Sequence, residues 1–172
     1  SRVCVNGAGG GSGAFALQLL RAVGAHVTAV DTAAKLDSMR SLGADEVLDF
    51  RQEDWTRRGP FDHVLDLVAL RSVFAYRRAL APGGRYRCVG GTGRSLLRVL
   101  TLGSVLGAAS GRSIGMLVVH EGPEHFAAMT TKVLSGEVQV RVDRTFGLAE
   151  VPEALAYVGA GRALGKVVIE VG

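Results

Sequence analysis

Cysteine, proline and aromatic residues are scarce in this sequence. Its 172 residues include two cysteines, four prolines and 6 % aromatic side chains. Two cysteines cannot build a disulfide framework, and no cysteine or histidine cluster has the spacing of zinc ligands, so we expect no metal site. No charged segment followed by an apolar run opens the chain, and a signal peptide is therefore not expected. These absences favour a reducing compartment, and we predict a cytoplasmic location.

Long apolar runs and clustered charge are missing as well. The most apolar stretch, 95–119, is interrupted by Arg98 and Arg112 before it reaches the roughly 20 residues that a membrane span needs. The formal net charge is +4, but the arginines are spread along the chain and no basic run contains interleaved aromatics. We therefore expect neither membrane nor nucleic acid as a partner. An apolar content of 48 % with 21 % charged residues excludes intrinsic disorder.

Two kinds of segment alternate from one end of the chain to the other. Continuous apolar runs bounded by turn residues predict buried strands, and segments with helical spacing lie between them. This alternation predicts one α/β domain over residues 1–172: a doubly wound Rossmann fold with a mostly parallel six-stranded sheet, helices on both faces and strand order 3-2-1-4-5-6. The predicted strands are 2–5, 26–30, 46–49, 63–67, 85–89, 115–119 and 166–171; the predicted helices are 13–23, 32–42, 72–80, 95–106, 123–135 and 148–158.

The first strand leads into a glycine-rich turn and then a helix, as a dinucleotide fingerprint requires. A strict G-x-G-x-x-G starting at Gly7 fails, because Ser12 takes the last position. The variant A-x-G-x-x-G fits as Ala8, Gly10 and Gly13. Ala8 would allow the tight turn, Gly10 the close approach of a pyrophosphate, and Gly13 the close packing of helix on strand. The helix N-terminus would then attract the phosphates.

Asp31 strengthens this interpretation because it ends the second strand at the expected distance after the turn. A carboxylate there can accept hydrogen bonds from both ribose hydroxyls and would repel a 2′-phosphate. The predicted cofactor is therefore NAD or NADP, with NAD favoured. Asp31 could instead cap the following helix. Lys35, one turn later, could reach the ribose or a 2′-phosphate, or could lie on a solvated helix face.

Other functions that use glycine turns are less consistent with the sequence. The turn continues Gly13-Ala14-Phe15, without the Gly-Lys-Ser/Thr of a P-loop. Ser113 lies in a G-x-S-x-G pattern, but it precedes a strand instead of following one, which argues against a hydrolase. A methyltransferase remains a rival, since it also combines a glycine turn with an acidic residue after the second strand. It would need a reversed seventh strand and would bind S-adenosylmethionine.

Six segments bear on the function when they are taken together: 5–13, 41–50, 61–68, 80–86, 144–155 and 161–171. In combination they resemble the cofactor-binding half of a medium-chain dehydrogenase/reductase. The resemblance is strongest to the zinc-independent quinone oxidoreductase and zeta-crystallin branch and to related NAD(P)-dependent alcohol dehydrogenases. Ser12 stands where that family usually has Val.

The resemblance implies a role for particular residues. Ala8, Gly10, Gly11, Ser12 and Gly13 would hold the pyrophosphate, with Lys166 nearby. Asp31 and Lys35 would face the adenosine ribose, and Phe50 the adenosine. Val68 and Ala69 would lie beneath the cofactor, and Gly90 and Gly91 would let the nicotinamide ribose pass. The backbone of Leu117, Val118 and Val119 would meet the carboxamide.

The resemblance also implies what lies outside this chain. Family members have an N-terminal GroES-like domain that supplies the substrate pocket, and this sequence begins at the first Rossmann strand. We therefore expect an NAD(P)-dependent oxidoreductase domain, inactive on its own, that dimerises through an edge strand over 115–119. The nicotinamide carries the hydride chemistry, and no residue here is assigned as a catalytic acid or base. The alternative is a non-catalytic dinucleotide-binding or interaction module.

Overall fold

Strands and helices alternate in the computed structural model, which describes residues 1–119 and 122–172. The strands are β1 (Arg2–Asn6), β2 (His26–Asp31), β3 (Glu46–Asp49), β4 (Phe61–Asp66), β5 (Leu80–Cys88), β6 (Ser113–Met116), β7 (Val142–Gly147) and β8 (Lys166–Glu170). The helices are α1 (Gly11–Ala22), α2 (Leu36–Ser41), α3 (Val73–Ala79), α4 (Gly93–Arg98), α5 (Ser104–Ala108), α6 (Pro123–Leu134) and α7 (Val151–Gly159). A π-helical segment, Val99–Gly103, joins α4 to α5.

Six strands form the main sheet in the order β3-β2-β1-β4-β5-β6, which confirms the predicted order. All neighbouring pairs in this sheet are parallel. The order reverses between β1 and β4, because the chain leaves β3 and returns to the other side of β1. In open parallel sheets the crevice beyond the carboxyl ends at such a point is where ligands bind. The reversed strand that a methyltransferase needs is not found in the described part of this sheet.

Two apolar clusters lie on opposite faces of the sheet. Alternate residues of β1 divide between them: Val3 and Val5 belong to the cluster with Leu17 of α1, whereas Cys4 belongs to the cluster with Tyr76 of α3. This division follows from the two-residue repeat of a strand, and it confirms helices on both faces. Cys4 and the other cysteine are buried and free. Burial raises the pKa of the Cys4 thiol, with a further contribution from the nearby Asp66 charge.

The last strand of the main sheet is displaced from its predicted bounds. We expected a strand over 115–119, but β6 runs from Ser113 to Met116. The Leu117 N–H still donates to the Cys88 carbonyl at 2.9 Å, and the ladder stops there. The apolar run continues past the ladder, whereas the polar Ser113 takes part in it opposite Arg85. Hydrophobicity alone therefore placed this strand about two residues too late.

A strand that the sequence did not reveal lies near the C-terminus. β7 pairs in parallel with β8, and α7 connects them, so β8 belongs to a separate two-stranded sheet. β7 is only partly buried and reads Val-Asp-Arg-Thr-Phe-Gly, without the continuous apolar run that marked the other strands. Asp143 binds this unit together by accepting hydrogen bonds from the Tyr157 hydroxyl and the Leu164 N–H. Among the helices of residues 1–119 and 122–172, none combines the length and the apolar character of a membrane span.

Candidate functional site

The glycine turn between β1 and α1 lies at the carboxyl edge of the sheet, where the strand order reverses. The N–H groups of Gly7 and Ala8 both donate to the Val30 carbonyl, at 2.9 and 3.1 Å, which fixes the turn to β2. Gly10 is the N-cap of α1 and is extended, and no side chain caps the helix. The first N–H groups of a helix have no acceptor within it. This helix therefore presents uncapped donors and its positive dipole end at the turn.

Two of the glycines are required by close contacts. A Cβ on Gly13 would lie 2.3 Å from the Ala8 carbonyl oxygen, so helix and turn touch through backbone alone. A Cβ on Gly9 would lie 2.5 Å from the Lys35 side chain. Gly10 is different, because the nearest atom to its Cβ position is the Gly7 carbonyl oxygen at 3.7 Å. The space over Gly10 is open, and a ligand could approach the backbone there.

Asp31 ends β2 beside this turn and is 9 % exposed. Its Oδ2 accepts the Gly9 N–H at 3.0 Å, and its Oδ1 accepts the Thr32 N–H at 2.8 Å. The helical segment that follows has Thr32 as its N-cap and no side-chain cap, so the alternative that Asp31 caps it is wrong.

Lys35 is 5 % exposed, so the alternative of a solvated helix face is also wrong. Its Nζ lies 3.5 Å from Asp31 Oδ1, and its stem covers Gly9. The ammonium group therefore offsets part of the Asp31 charge within the crevice.

Lys166, the first residue of β8, brings a second ammonium group to the start of α1. A Cβ built on Gly11 would lie 3.3 Å from Lys166 Nζ, and the same ammonium lies 5.4 Å from the centre of the Phe15 ring. A cavity of about 360 Å³ lies between the turn and the C-terminal unit. Its lining includes Gly10, Gly11, Ser12, Lys35 and Lys166. Two cations and a helix N-terminus around one cavity form an environment that favours an anion.

A second cavity, of about 310 Å³, lies on the other side of the turn. It is mostly apolar, and Asp31 contributes to its wall. Of the residues that sequence reasoning selected, Asp31, Phe50 and Val68 line it. Five further lining residues were missed: Asn6, Gly7, Trp55, Leu70 and Arg71. Asn6 could have been found as the last residue of a central strand; Trp55, Leu70 and Arg71 lie in connections whose course the sequence pattern does not predict.

The loops that follow β4 and β5 lie against each other beside this cavity. Ala69 is buried and has a positive φ of 53°. Gly91 has a φ of 137°, and a Cβ on it would lie 3.0 Å from Ala69 Cβ. A Cβ on Gly90 would lie 2.9 Å from the Leu67 carbonyl oxygen. Both glycines are thus needed for the approach of the two loops.

Three predicted site residues lie apart from the others. Leu117 lines a different cavity, together with residues of α1 and the face of the sheet. Val118 and Val119 are exposed beyond the end of β6 and line neither cavity beside the glycine turn. The structure therefore brings together the turn, Asp31, Lys35, Phe50, Val68 and Lys166, but not 117–119. Within the described ranges, no three histidine, cysteine or carboxylate side chains are placed to share a metal ion.

Comparison with known proteins identifies relatives of this chain. The profile of the zinc-binding dehydrogenase family matches residues 42–169. The human mitochondrial NAD(P)H oxidoreductase RTN4IP1 is 31 % identical over 99 % of this chain and 48 % of its own length. The trans-enoyl reductase pgmF of Aspergillus terreus is 30 % identical over 99 % of the chain and 51 % of its own. The chain thus spans about half the length of the curated relatives it matches.

Solved structures agree on the fold. The quinone oxidoreductase of Coxiella burnetii superimposes with a TM-score of 0.86 at 22 % identity, covering 99 % of this chain and 53 % of that protein. An NAD-dependent alcohol dehydrogenase superimposes with a TM-score of 0.82 at 25 % identity, covering 99 % of this chain and 51 % of that protein. At 22 % identity, the similarity to the Coxiella burnetii quinone oxidoreductase concerns the fold alone.

Proposed function

This chain belongs to the zinc-binding dehydrogenase family, within the medium-chain dehydrogenases/reductases, and from that membership we propose that it is the NAD(P)-binding domain of an oxidoreductase. The complete protein would transfer hydride between the cofactor and an alcohol/carbonyl, an activated alkene or a quinone. A GroES-like domain N-terminal to this chain would supply the substrate pocket. The 172-residue domain alone would bind cofactor without turning over substrate.

One observation carries the proposal: the uncapped N-terminus of α1 faces a cavity that also receives Lys35 and Lys166. The open space over Gly10 leaves room for a pyrophosphate against the backbone. Asp31 lies on the other side of the turn, beside the mostly apolar cavity. A dinucleotide needs these features in this order: an adenosine pocket, a ribose acceptor and a phosphate site.

In this proposal each group has a physical task. The N–H groups at the start of α1 and Lys166 bind the pyrophosphate. Asp31 and Lys35 face the adenosine ribose, whose hydroxyls donate to the carboxylate. Phe50 and Val68 line the adenosine cavity. The nicotinamide ring, when bound, supplies or takes up the hydride. The loops containing Ala69 and Gly91 form the adjoining wall of the crevice and help to keep water from the cofactor.

The relatives include an NAD(P)H oxidoreductase and an NAD-dependent alcohol dehydrogenase, and we propose that this chain prefers NAD. A carboxylate at the end of β2 repels a 2′-phosphate, and Asp31 is held in place by its bond to Gly9. Lys35 reduces this preference for NAD over NADP, because its ammonium group lies 3.5 Å from Asp31 Oδ1 and could attract the 2′-phosphate of NADP. We therefore expect tighter binding of NADH with measurable binding of NADPH.

Three further features belong to the proposal. A homodimer through β6 is supported by the position of this strand at the edge of the sheet and by the exposed apolar side chains at 117–119. Zinc-independent chemistry is supported by the resemblance to quinone oxidoreductases. A cytoplasmic location is supported by the two buried, free cysteines. Neither nucleic acid nor membrane is among the proposed partners.

Sedimentation of the purified chain tests the proposed dimer. A monomer at high protein concentration would contradict it.

Calorimetric titration of the chain with NADH, NADPH and S-adenosylmethionine tests the proposal. We expect NADH to bind most tightly, NADPH more weakly and S-adenosylmethionine not at all. Binding of S-adenosylmethionine, with no binding of NADH or NADPH, would favour a methyltransferase over an oxidoreductase. The gene sequence upstream of Ser1 tests the second domain, and absence of a GroES-like segment there would favour the non-catalytic module.

A further inference from the structure

Asp66, the last residue of β4, carries a carboxylate that is completely buried. Its Oδ1 accepts hydrogen bonds from Asn6 Nδ2 at 2.8 Å, from the Val68 N–H at 3.0 Å and from the Ala69 N–H at 2.7 Å. Its Oδ2 accepts the Tyr86 hydroxyl at 2.9 Å. All four of these donors are neutral groups. A buried carboxylate held in this way is costly to desolvate, so its presence calls for a reason other than packing.

The donors to Asp66 surround the crevice. Asn6 and Val68 line the apolar cavity. Ala69 adopts a positive φ, which is unfavourable for a residue with a Cβ, and its 2.7 Å bond to Asp66 holds it there. One carboxylate oxygen thus fixes the end of β1 and the loop after β4 with respect to each other.

The effect extends to the loop after β5. Gly91 is in contact with Ala69, since a Cβ on the glycine would lie 3.0 Å from the alanine Cβ. Tyr86 belongs to β5 and stacks on Tyr76 with ring centres 4.0 Å apart, which anchors the Oδ2 side of the carboxylate in the core. Burial and the neighbouring Asp66 charge raise the pKa of the Tyr86 hydroxyl, so it remains a donor.

We propose that Asp66 is a positioning residue for the dinucleotide: through Asn6, Val68 and Ala69 it sets the walls of the crevice at the β1–β4 boundary. It does not touch the cofactor itself. This inference rests on the proposed function. Its loss should therefore weaken dinucleotide binding in a chain that is still folded, which a purely structural role would not do.

Three variants test the proposal. Asp66→Ala removes the acceptor, Asp66→Asn keeps an oxygen for the loop N–H groups, and Asp62→Asn is the matched control. Asp62 lies at the opposite end of β4, where its Oδ2 accepts the Arg2 N–H at 2.7 Å. NADH affinity is measured by calorimetry below the unfolding temperature of each variant, with circular dichroism confirming the fold. The amide resonance of Ala69 reports its hydrogen bond independently of the ligand.

We expect Asp66→Ala to weaken NADH binding about tenfold or more and to shift the Ala69 amide signal, as loss of hydrogen bonds to a charged acceptor predicts. Asp66→Asn should stay within about threefold of the wild-type affinity, and Asp62→Asn should equal it. A folded Asp66→Ala chain with wild-type affinity would overturn the proposal, as would an equal loss in Asp66→Asn.

A fourth variant covers the case in which Asp66→Ala does not fold. Tyr86→Phe keeps the carboxylate but removes its anchor in β5, and we expect about threefold weaker NADH binding or more. Wild-type affinity in this variant would then decide against the proposal. Failure of the wild-type chain to bind NADH or NADPH would instead overturn the proposed function, and this inference with it.

Discussion

Asp31 and Gly9 are joined by a hydrogen bond of 3.0 Å, from the glycine N–H to the carboxylate Oδ2, across 22 positions of sequence. The bond fixes the end of β2 to the glycine turn. Lys35 completes the arrangement, because its stem covers Gly9 and its ammonium lies 3.5 Å from Asp31 Oδ1. The Asp31 carboxylate, which we propose to bind the adenosine ribose, is therefore held in place and partly neutralised.

Replacing Asp31 by Asn should shift the cofactor preference toward NADPH. The amide oxygen can still accept the Gly9 N–H, whereas the negative charge that repels a 2′-phosphate is gone and Lys35 is released to meet it. We expect the ratio of NADPH to NADH affinity to rise about tenfold or more in calorimetric titrations. Asp37→Asn is the control, because Asp37 is exposed on α2 and pairs with Arg40. An unchanged ratio in Asp31→Asn would contradict the ribose assignment.

Gly13→Ala should destabilise the fold. The new methyl group would lie 2.3 Å from the Ala8 carbonyl oxygen, so α1 must move away from the turn. We expect the free energy of unfolding to fall by about 3 kcal/mol in urea titrations. Gly159→Ala, at the end of α7 with no atom within 4 Å of its Cβ position, should be neutral or stabilising by up to about 1 kcal/mol. Equal stabilities of the two variants would show that the helix does not need this close approach.

Gly10→Ala should separate binding from stability. Its backbone is extended at φ −93°, which alanine tolerates, and the nearest atom to its Cβ is 3.7 Å away. We expect a free energy of unfolding within about 0.5 kcal/mol of wild type. The methyl group would occupy the space through which a pyrophosphate reaches the helix N-terminus, so NADH affinity should fall more than about tenfold. Undiminished affinity would place the phosphates elsewhere.

Lys166→Met should weaken dinucleotide binding and reduce its dependence on salt. The Lys166 ammonium faces the cavity at the start of α1, and salt screens its attraction to a phosphate. We expect about a fivefold to tenfold loss of NADH affinity at low ionic strength, shrinking as salt rises. Lys132→Met serves as the control, since Lys132 lies on α6 and pairs with Glu137. A matching loss in both variants would indicate a general charge effect.

Stability should fall in alkaline solution. Burial raises the pKa of Tyr76 to about 12 in the folded chain, whereas an unfolded tyrosine titrates near pH 10. Above about pH 10 the unfolded state binds fewer protons than the folded state, so the free energy of unfolding decreases as pH rises toward 12. Unfolding temperatures measured between pH 8 and 11.5 should show this decline. Tyr76→Phe should reduce the slope above pH 10, and an unchanged slope would show that this tyrosine titrates normally.

The sequence predicted most of the main sheet because its central strands β1 and β2 are almost completely buried and largely apolar. All six strands were located in their order, but β5 begins at Leu80 and not at the predicted residue 85. Errors occurred where burial is partial. β6 was placed two residues late because apolar residues continue beyond its ladder, and β7 was missed because it is half-exposed and carries charge.

The residues of the candidate site also fall into two groups, those that the sequence predicts and those that it does not. The glycine turn, Asp31 and Lys35 could be found because their spacing is local and its physical reasons are general. Trp55, Leu70 and Arg71 could not, since they reach the cavity from connections whose path depends on the packing beneath them. The roles of Asp66 and Tyr86 were equally hidden, because the two side chains meet only through the pairing of β4 with β5.

The sequence by itself determined the alternation of elements, the strand order and the glycine turn, because each follows from short-range spacing and from which residues must leave water. Only the tertiary structure decided that Lys35 is buried against Asp31, that Lys166 reaches the start of α1, and that Asp66 holds the loops of the crevice. Some of these contacts join near neighbours and others join distant parts of the chain. All of them depend on how strands and loops pack in three dimensions.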